Sequence, residues 1–243
     1  MIDPADRGFT LGDGLFETVL AVDGTLRHLA NHAARMIAGC AVIGLPAPSL
    51  SELADAVPPL GAGRQAVRFS WSAGAGAGGR GLDRPAAIAP TLAVSVAPSP
   101  LPEPARLVTA RTVRRNEQSP AAALKTLAYL DNVLARREAL AGGGDEAVML
   151  NTQGLLACAA AANLFWISEG RLFTPALSCG VLPGLARARL MASVDVEAVV
   201  AGPEALAAAE AVFITNSLVG VRQVAWLDGR AYAPHPLAAS LSA

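Results

Sequence analysis

Lys125 is the only lysine among the 19 lysines and arginines of this 243-residue chain, so any lysine chemistry comes from one position. An arginine stays protonated at ordinary pH and cannot condense with a carbonyl, whereas a desolvated lysine amine can lose its proton and attack one. Three further segments carry groups suited to a phosphate. In LPGLAR (Leu182 to Arg187) a Pro-Gly pair precedes a helix, and the free N–H groups of Leu185 and Ala186 would point at an anion with the helix dipole behind them. Thr215, Asn216 and Ser217 end an apolar strand with hydroxyls and backbone N–H groups. Arg35 sits on a helix whose other side carries Met36, Ile37 and Cys40. Each segment taken alone is equally an ordinary turn, a strand terminus or a solvated arginine.

Together with Lys125 they suit a cofactor that has both a phosphate and an aldehyde, which is pyridoxal 5′-phosphate. The motifs DRGFTLGDGLFET (Asp6 to Thr18), HLANHAAR (His28 to Arg35), GGRGL (Gly78 to Leu82), RRNEQSP and KTLAYLDNVLA (Arg114 to Ala135), NLF (Asn163 to Phe165), LPGLAR and TNS follow in this order. In that order and combination the chain resembles the class IV aminotransferase family of fold-type IV pyridoxal phosphate enzymes, over nearly its whole length. Within that family the likeness is greatest to the aminodeoxychorismate lyases.

The resemblance implies a two-domain α+β fold, with a small N-terminal α/β domain and a larger C-terminal pseudobarrel domain. It implies that Lys125 carries the cofactor as a Schiff base and afterwards acts as the base at the amine-bearing carbon. Arg35 would pair with the phosphate, joined by the backbone of Leu185 and Ala186 and by Ser217, with Asn216 beside it. Phe16 and Glu17 would line the substrate side. Arg80 falls where D-amino-acid aminotransferases grip the substrate carboxylate, in a loop that reaches a neighbouring subunit, so a homodimer is expected. Leu82 stands where those enzymes carry a histidine, which weakens a D-specific reading. Gly154 and Asn163 set a register that puts Cys158 where the family has a glutamate on the pyridine nitrogen. A thiol cannot hold a pyridinium as a carboxylate does, so transamination should suffer more than an elimination driven by aromatisation. The reading is therefore a lyase releasing 4-aminobenzoate and pyruvate from 4-amino-4-deoxychorismate, with an aminotransferase for branched-chain or D-amino acids as the alternative. Either takes a small carboxylate substrate bearing a primary amine.

The elements that must position these residues follow from pattern. Residues 8–22 read as a turn and strand, and a helix runs from His28 to Ile43 with Gly44 as its stop. Strands are expected at Ala66 to Ser72 and Thr91 to Val96. Four prolines in Pro98 to Pro104 deny that segment helix and ladder bonds, which places a linker at 98–105 between domains 1–97 and 106–243. Beyond it the pattern predicts a strand at Leu107 to Val113, a helix from Leu127 to Ala141, and a hairpin pairing Ala147 to Leu150 with Asn163 to Ile167. A strand at Leu172 to Thr174, a helix from Pro183, a strand at Val196 to Val200, a short helix and a strand at Ala211 to Thr215 complete it. Mixed elements without a regular βαβ alternation argue α+β.

Composition excludes several classes. A formal charge of −1 with scattered arginines offers no basic stripe for nucleic acid. Three cysteines without a CxxC spacing and three histidines argue against a metal site or a disulfide framework. The uncharged run from Ala147 to Ser168 could span a bilayer in length, but Asn151, Thr152, Gln153 and Gly154 break it, so no membrane span is expected. Asp3, Asp6 and Arg7 stand where a signal peptide needs apolar residues, which predicts a cytoplasmic protein.

Overall fold

The structure is a computed structural model that describes residues 2–75 and 81–241. It divides into two compact units, one comprising the chain up to Pro100 with Leu124–Ala128, the other Leu101–Ala123 with Tyr129–Ala243. The first unit thus takes in Lys125, which a division at the proline-rich segment alone would assign to the second. The class is α+β, as expected.

In the first unit α1 (Arg7–Leu11) leads into β1 (Gly14–Val22), β2 (Thr25–Leu26), α2 (Leu29–Ile43), α3 (Leu50–Asp55), β3 (Arg64–Ser72) and β4 (Thr91–Pro98). Residues 8–11, expected as a turn, are helical because Asp6 accepts the Gly8 N–H at 2.8 Å as N-cap, and Gly12 closes the turn at φ 67°. The sheet order among the described residues is β2-β1-β3-β4. β1 and β3 pair antiparallel over their full length, from Gly14 opposite Ser72 to Val22 opposite Arg64. Strand alternation sends Leu15, Val19 and Ala21 of β1 and Val67, Phe69 and Trp71 of β3 into one core with Ala33, Met36 and Cys40 of α2. Burying a side chain such as Phe69 completely contributes about 1.5–3 kcal/mol, so this face holds α2 in place. The helix stops at Gly44, φ 66°, as its sequence predicts. α3 was not anticipated; Ser49 and Glu52 start it with a reciprocal capping box.

The second unit runs β5 (Ala105–Thr109), α4 (Leu130–Ala141), β6 (Glu146–Leu150), β7 (Leu156–Ala159), β8 (Asn163–Ser168), β9 (Arg171–Pro175), α5 (Leu185–Ser193), β10 (Glu197–Val199), α6 (Glu204–Ala208), β11 (Ala211–Asn216), β12 (Gly220–Leu227), β13 (Arg230–Ala231) and α7 (Pro236–Ser240). Its mixed sheet has the order β10-β9-β8-β11-β12-β5-β6-β7, with β13 on β12. The expected hairpin of β6 with β8 is not formed. β6 turns at Asn151 and pairs with β7, while β8 lies between β9 and β11. The turn was legible, but the second strand of that hairpin is alanine-rich and carries no pattern that separates it from the next. Three cores pack on this sheet, one of them around Met149 and Cys158. Leu164, Trp166, Val212 and Ile214 point to a second, and Phe165, Ile167 and Phe213 point to the third, where Leu190 of α5 packs. Phe165 and Phe213 stack at 5.1 Å between centroids, which ties β8 to β11.

No helix of the described residues is long and apolar enough to cross a membrane. The described residues also contain no cluster of three or more His, Cys, Asp or Glu able to hold a metal ion.

Candidate active site

The first unit places its candidate residues around one free strand edge. β2 pairs only with Ala21 and Val22, so the start of β1 has an unpaired edge opposite β3. The segment carrying Lys125 takes that edge. Phe16 N–H donates to Lys125 O at 2.8 Å, Leu127 N–H donates to Gly14 O at 2.9 Å, and Leu15 bridges Thr126. A Cβ on Gly14 would meet the Trp71 carbonyl and come within 2.7 Å of Leu127 Cδ1, so a glycine is needed where the three strands close up. Lys125 is held by its own backbone, on a sheet edge, close to the core of its unit.

Its side chain lies over Phe16, with Nζ 4.2 Å from the ring centroid, and the Arg68 guanidinium lies 3.7 Å from the same ring. The ring attracts both cations through its quadrupole. Burial brings the Lys125 ammonium down to about 8, against which Glu17 acts to raise it and Arg35 and Arg68 act to lower it further. An ordinary lysine near 10.4 is almost wholly charged at neutral pH; one near 8 carries roughly a tenth of its population as free amine at pH 7.

Glu17 occupies the one polar position in the Leu15, Glu17, Val19, Ala21 row that faces α2. Arg35 donates to it from Nε at 2.7 Å and from Nη2 at 2.7 Å, one bond to each oxygen, and His32 Nδ1 lies 2.6 Å from Oε2. Glu17 and His32 are both buried. Burial pushes the Glu17 carboxyl up, but the bonds from His32 and Arg35 and the arginine's charge outweigh it, leaving the group below its ordinary value. Glu17, expected on the substrate side, and Arg35, expected on a phosphate, are therefore partners of one another. Sequence reasoning missed His32 and Arg68. The signal for His32 was its i, i+3 spacing to Arg35, which puts both on one helix face. In the same unit Arg7 donates to Asp13 at 2.9 Å and to the Leu82 carbonyl at 2.8 Å. It thereby anchors the chain just after the glycine-rich loop. Arg80 itself lies outside the described residues.

The second unit supplies an anion cradle at the start of α5. Gly184 is the N-cap and makes no side-chain cap, so the N–H groups of Leu185 and Ala186 are left without intrahelical acceptors. Gly184 lies against the amide of Asn163, which donates to the Leu182 carbonyl at 2.9 Å; any Cβ there would collide with Asn163 Oδ1. Thr215 is the cross-strand neighbour of Asn163, so its side chain shares that face. Thr215 Oγ1 and Arg187 Nε are buried without a hydrogen-bond partner. An uncapped helix start bordered by a glycine, with two orphaned buried donors in the same region, fits a phosphate. Asn216 contributes differently. Its Oδ1 accepts from Leu218 and Val219 N–H and its amide donates to Ala161 O, so it shapes the turn that presents half-buried Ser217.

Cys158 is buried on β7 among Ala110, Val113, Ala135, Ala147 and Met149. Burial pushes its thiol up to about 11, with Arg115 lowering and Glu146 raising it, so it is a neutral thiol at physiological pH. Glu146 is a second buried carboxyl, raised by burial.

The first unit offers a lysine of lowered basicity, and the second, taken by itself, an uncapped helix start suited to an anion. The family model for amino-transferase class IV matches residues 14–226, and the chain belongs to that family. It is 26% identical to the aminodeoxychorismate lyase of Vibrio harveyi over 233 residues, 92% of this chain and 86% of that one. It is 33% identical to the branched-chain-amino-acid aminotransferase of Pseudomonas aeruginosa over 109 residues, 42% of this chain and 35% of the length of that protein. The crystal structure of a branched-chain aminotransferase from Thermoproteus uzoniensis superposes with a TM-score of 0.90 over 100% of this chain and 87% of that one, at 23% identity, which speaks to the fold.

Because Lys125 is the sole lysine, its titration can be read without interference from other side chains. In the full-length protein freed of bound carbonyl compounds, the rate of acylation at Lys125, followed by peptide mass, is expected to rise with a midpoint near pH 8. A midpoint above 10 would show an ordinary solvated lysine.

Proposed function

We propose that the protein is a pyridoxal-phosphate-dependent aminotransferase acting on branched-chain amino acids, with Lys125 as its catalytic residue. The observation that carries this is the single lysine, held on the edge of β1 with its amine brought down to about 8. Family membership and the likeness to aminotransferases support the reaction type. The cofactor, when bound, supplies an aldehyde that condenses with primary amines and a ring that accepts electrons from the amine-bearing carbon. Lys125 would hold it covalently, and its freed amine would take the proton from that carbon of the substrate, a task suited to a base with a pKa near operating pH. The N–H groups of Leu185 and Ala186, with Ser217, would hold the phosphate, and Asn216 would fix the turn that carries Ser217. Phe16 would form an apolar wall beside the amine, and Arg80 would grip the substrate carboxylate.

The second reading is aminodeoxychorismate lyase, and Cys158 favours it. On the register of the resemblance, a neutral thiol stands where a carboxylate would keep the cofactor ring protonated. A reaction driven by aromatisation loses less from that exchange than one that must stabilise a carbanion. The likeness to a Vibrio harveyi lyase over most of both chains agrees with this reading.

Borohydride reduction of the protein with pyridoxal phosphate, followed by peptide mapping, is expected to put the label on Lys125. Label at any other residue would remove the proposal, and Lys125→Ala should carry none.

The two readings separate on incubation with aminodeoxychorismate and with a panel of D- and L-amino acids plus 2-oxoglutarate. Aminobenzoate formation marks the lyase and oxo-acid formation the aminotransferase. Cys158→Glu is expected to speed oxo-acid formation about tenfold, or ~1.4 kcal/mol in barrier, and to change aminobenzoate formation less. An unchanged rate in both reactions would show that Cys158 does not face the ring.

By family likeness the Arg80 loop completes the site of a second copy, so the assembly proposed is a homodimer. Sedimentation equilibrium should find a dimer, and Arg80→Ala should raise KM for the carboxylate substrate with cofactor loading intact. A fully active monomer would exclude this arrangement.

A further inference from the structure

We propose that Arg187 is a fixed positive charge of the anion cradle at the start of α5, left unpaired so that a phosphate completes it. This role deepens the reading of the cradle as the place of the cofactor's phosphate and rests on that reading. All the residues involved belong to the second unit.

Two features make the position of Arg187 costly. The first is burial without a counter-charge. Arg187 is 7% exposed, and among the described residues its guanidinium makes one hydrogen bond, from Nη2 to the Pro175 carbonyl at 3.3 Å, while Nε is buried with no partner. Burial lowers its basicity, and no carboxylate among the described residues acts to restore it. A buried cation in that condition is disfavoured. The second is the helix itself. Arg187 is the third residue of α5, in the first turn after the N-cap Gly184, where the positive end of the dipole disfavours a cation and favours an anion. Both penalties become attractions once an anion occupies the helix start.

Three further observations say where that anion sits. Side chains on a helix lean towards its N-terminus, and the Arg187 Cβ lies 3.7 Å from the place where a side chain on Gly184 would begin. Pro175, which the guanidinium holds, follows Thr174, whose hydroxyl donates to the Leu164 carbonyl at 2.8 Å; it therefore stands at the end of the sheet where Asn163 begins β8. Thr215 lies opposite Asn163, on the same face as Phe213 and the α5 residue Leu190, and its hydroxyl is buried with no partner. The N–H groups of Leu185 and Ala186, an orphaned hydroxyl and an unpaired guanidinium thus gather at one end of one sheet. A phosphate is the compact anion with enough acceptor oxygens to serve them all.

The test is thermal unfolding of the full-length protein, freed of bound carbonyl compounds and of phosphate, during titration with inorganic phosphate at constant ionic strength. An anion that binds the folded state raises Tm with its concentration. Phosphate is expected to stabilise the parent protein, and Arg187→Met should need at least about ten times more of it for the same gain, as befits one lost charge-assisted contact. Without phosphate Arg187→Met should be no less stable than the parent, because an unpaired buried charge has gone. Arg187→Lys keeps the charge and should respond to phosphate within about threefold of the parent. A phosphate response in Arg187→Met equal to that of the parent overturns the proposal, as does an equal loss in Met and Lys variants. Where Arg187→Met does not fold, Arg187→Gln, neutral and still able to bond Pro175, decides by the same limits; instability of both without phosphate overturns the proposal as well. Borohydride label on Lys125 together with an unchanged phosphate response would leave the cofactor reading standing and remove only this role for Arg187. Label elsewhere would remove the cofactor reading and leave the phosphate titration untouched.

Discussion

The pairing of the Lys125 segment with the free edge of β1 is the constraint on which the candidate residues of the first unit depend. Two backbone hydrogen bonds and one bridge place a lysine, separated from β1 by more than a hundred residues of chain, against Phe16. An edge strand left open is a liability. Here β2 covers the far end and the lysine segment covers the near end. Gly14 and the full-length register of β1 with β3 let the strands close up tightly at that near end.

From that placement the electrostatics follow. Once the lysine is packed beside an aromatic ring, its ammonium is disfavoured, and the remaining question is how many charges of each sign surround it. Strand alternation on β1 answers part of this by turning Phe16 to the lysine and Glu17 to α2. Helical spacing on α2 answers the rest by putting His32 and Arg35 on the turn that faces Glu17. The same residues would be a scatter of surface charges if either periodicity were broken.

The second unit solves a different problem with the same economy of parts. Its anion cradle depends on what is absent as much as on what is present: a side chain at Gly184 and a cap on α5. Asn163, on a strand whose aromatic neighbour stacks on β11, holds the loop before α5, so the cradle inherits the rigidity of the sheet. Loops carry function best when a packed scaffold fixes both ends.

Much of this was legible in the residues alone. The uniqueness of Lys125, the Pro-Gly start of α5, the helix stop at Gly44, the turn at Asn151 to Gly154 and the α+β class all come from local chemistry: side-chain type, backbone freedom and periodicity. The sequence alone could not say which strand would accept which partner. Nothing local distinguishes β7 from β8 as the mate of β6, because an alanine-rich strand presents the same face to any neighbour. Nor could it say that Arg35 and Glu17 would meet, since that requires β1 and α2 to be packed first. The acidity of Lys125 was equally out of reach. It is a property of burial and of charges brought from separate stretches of chain, and desolvation and Coulomb interaction depend on distances that exist only after folding.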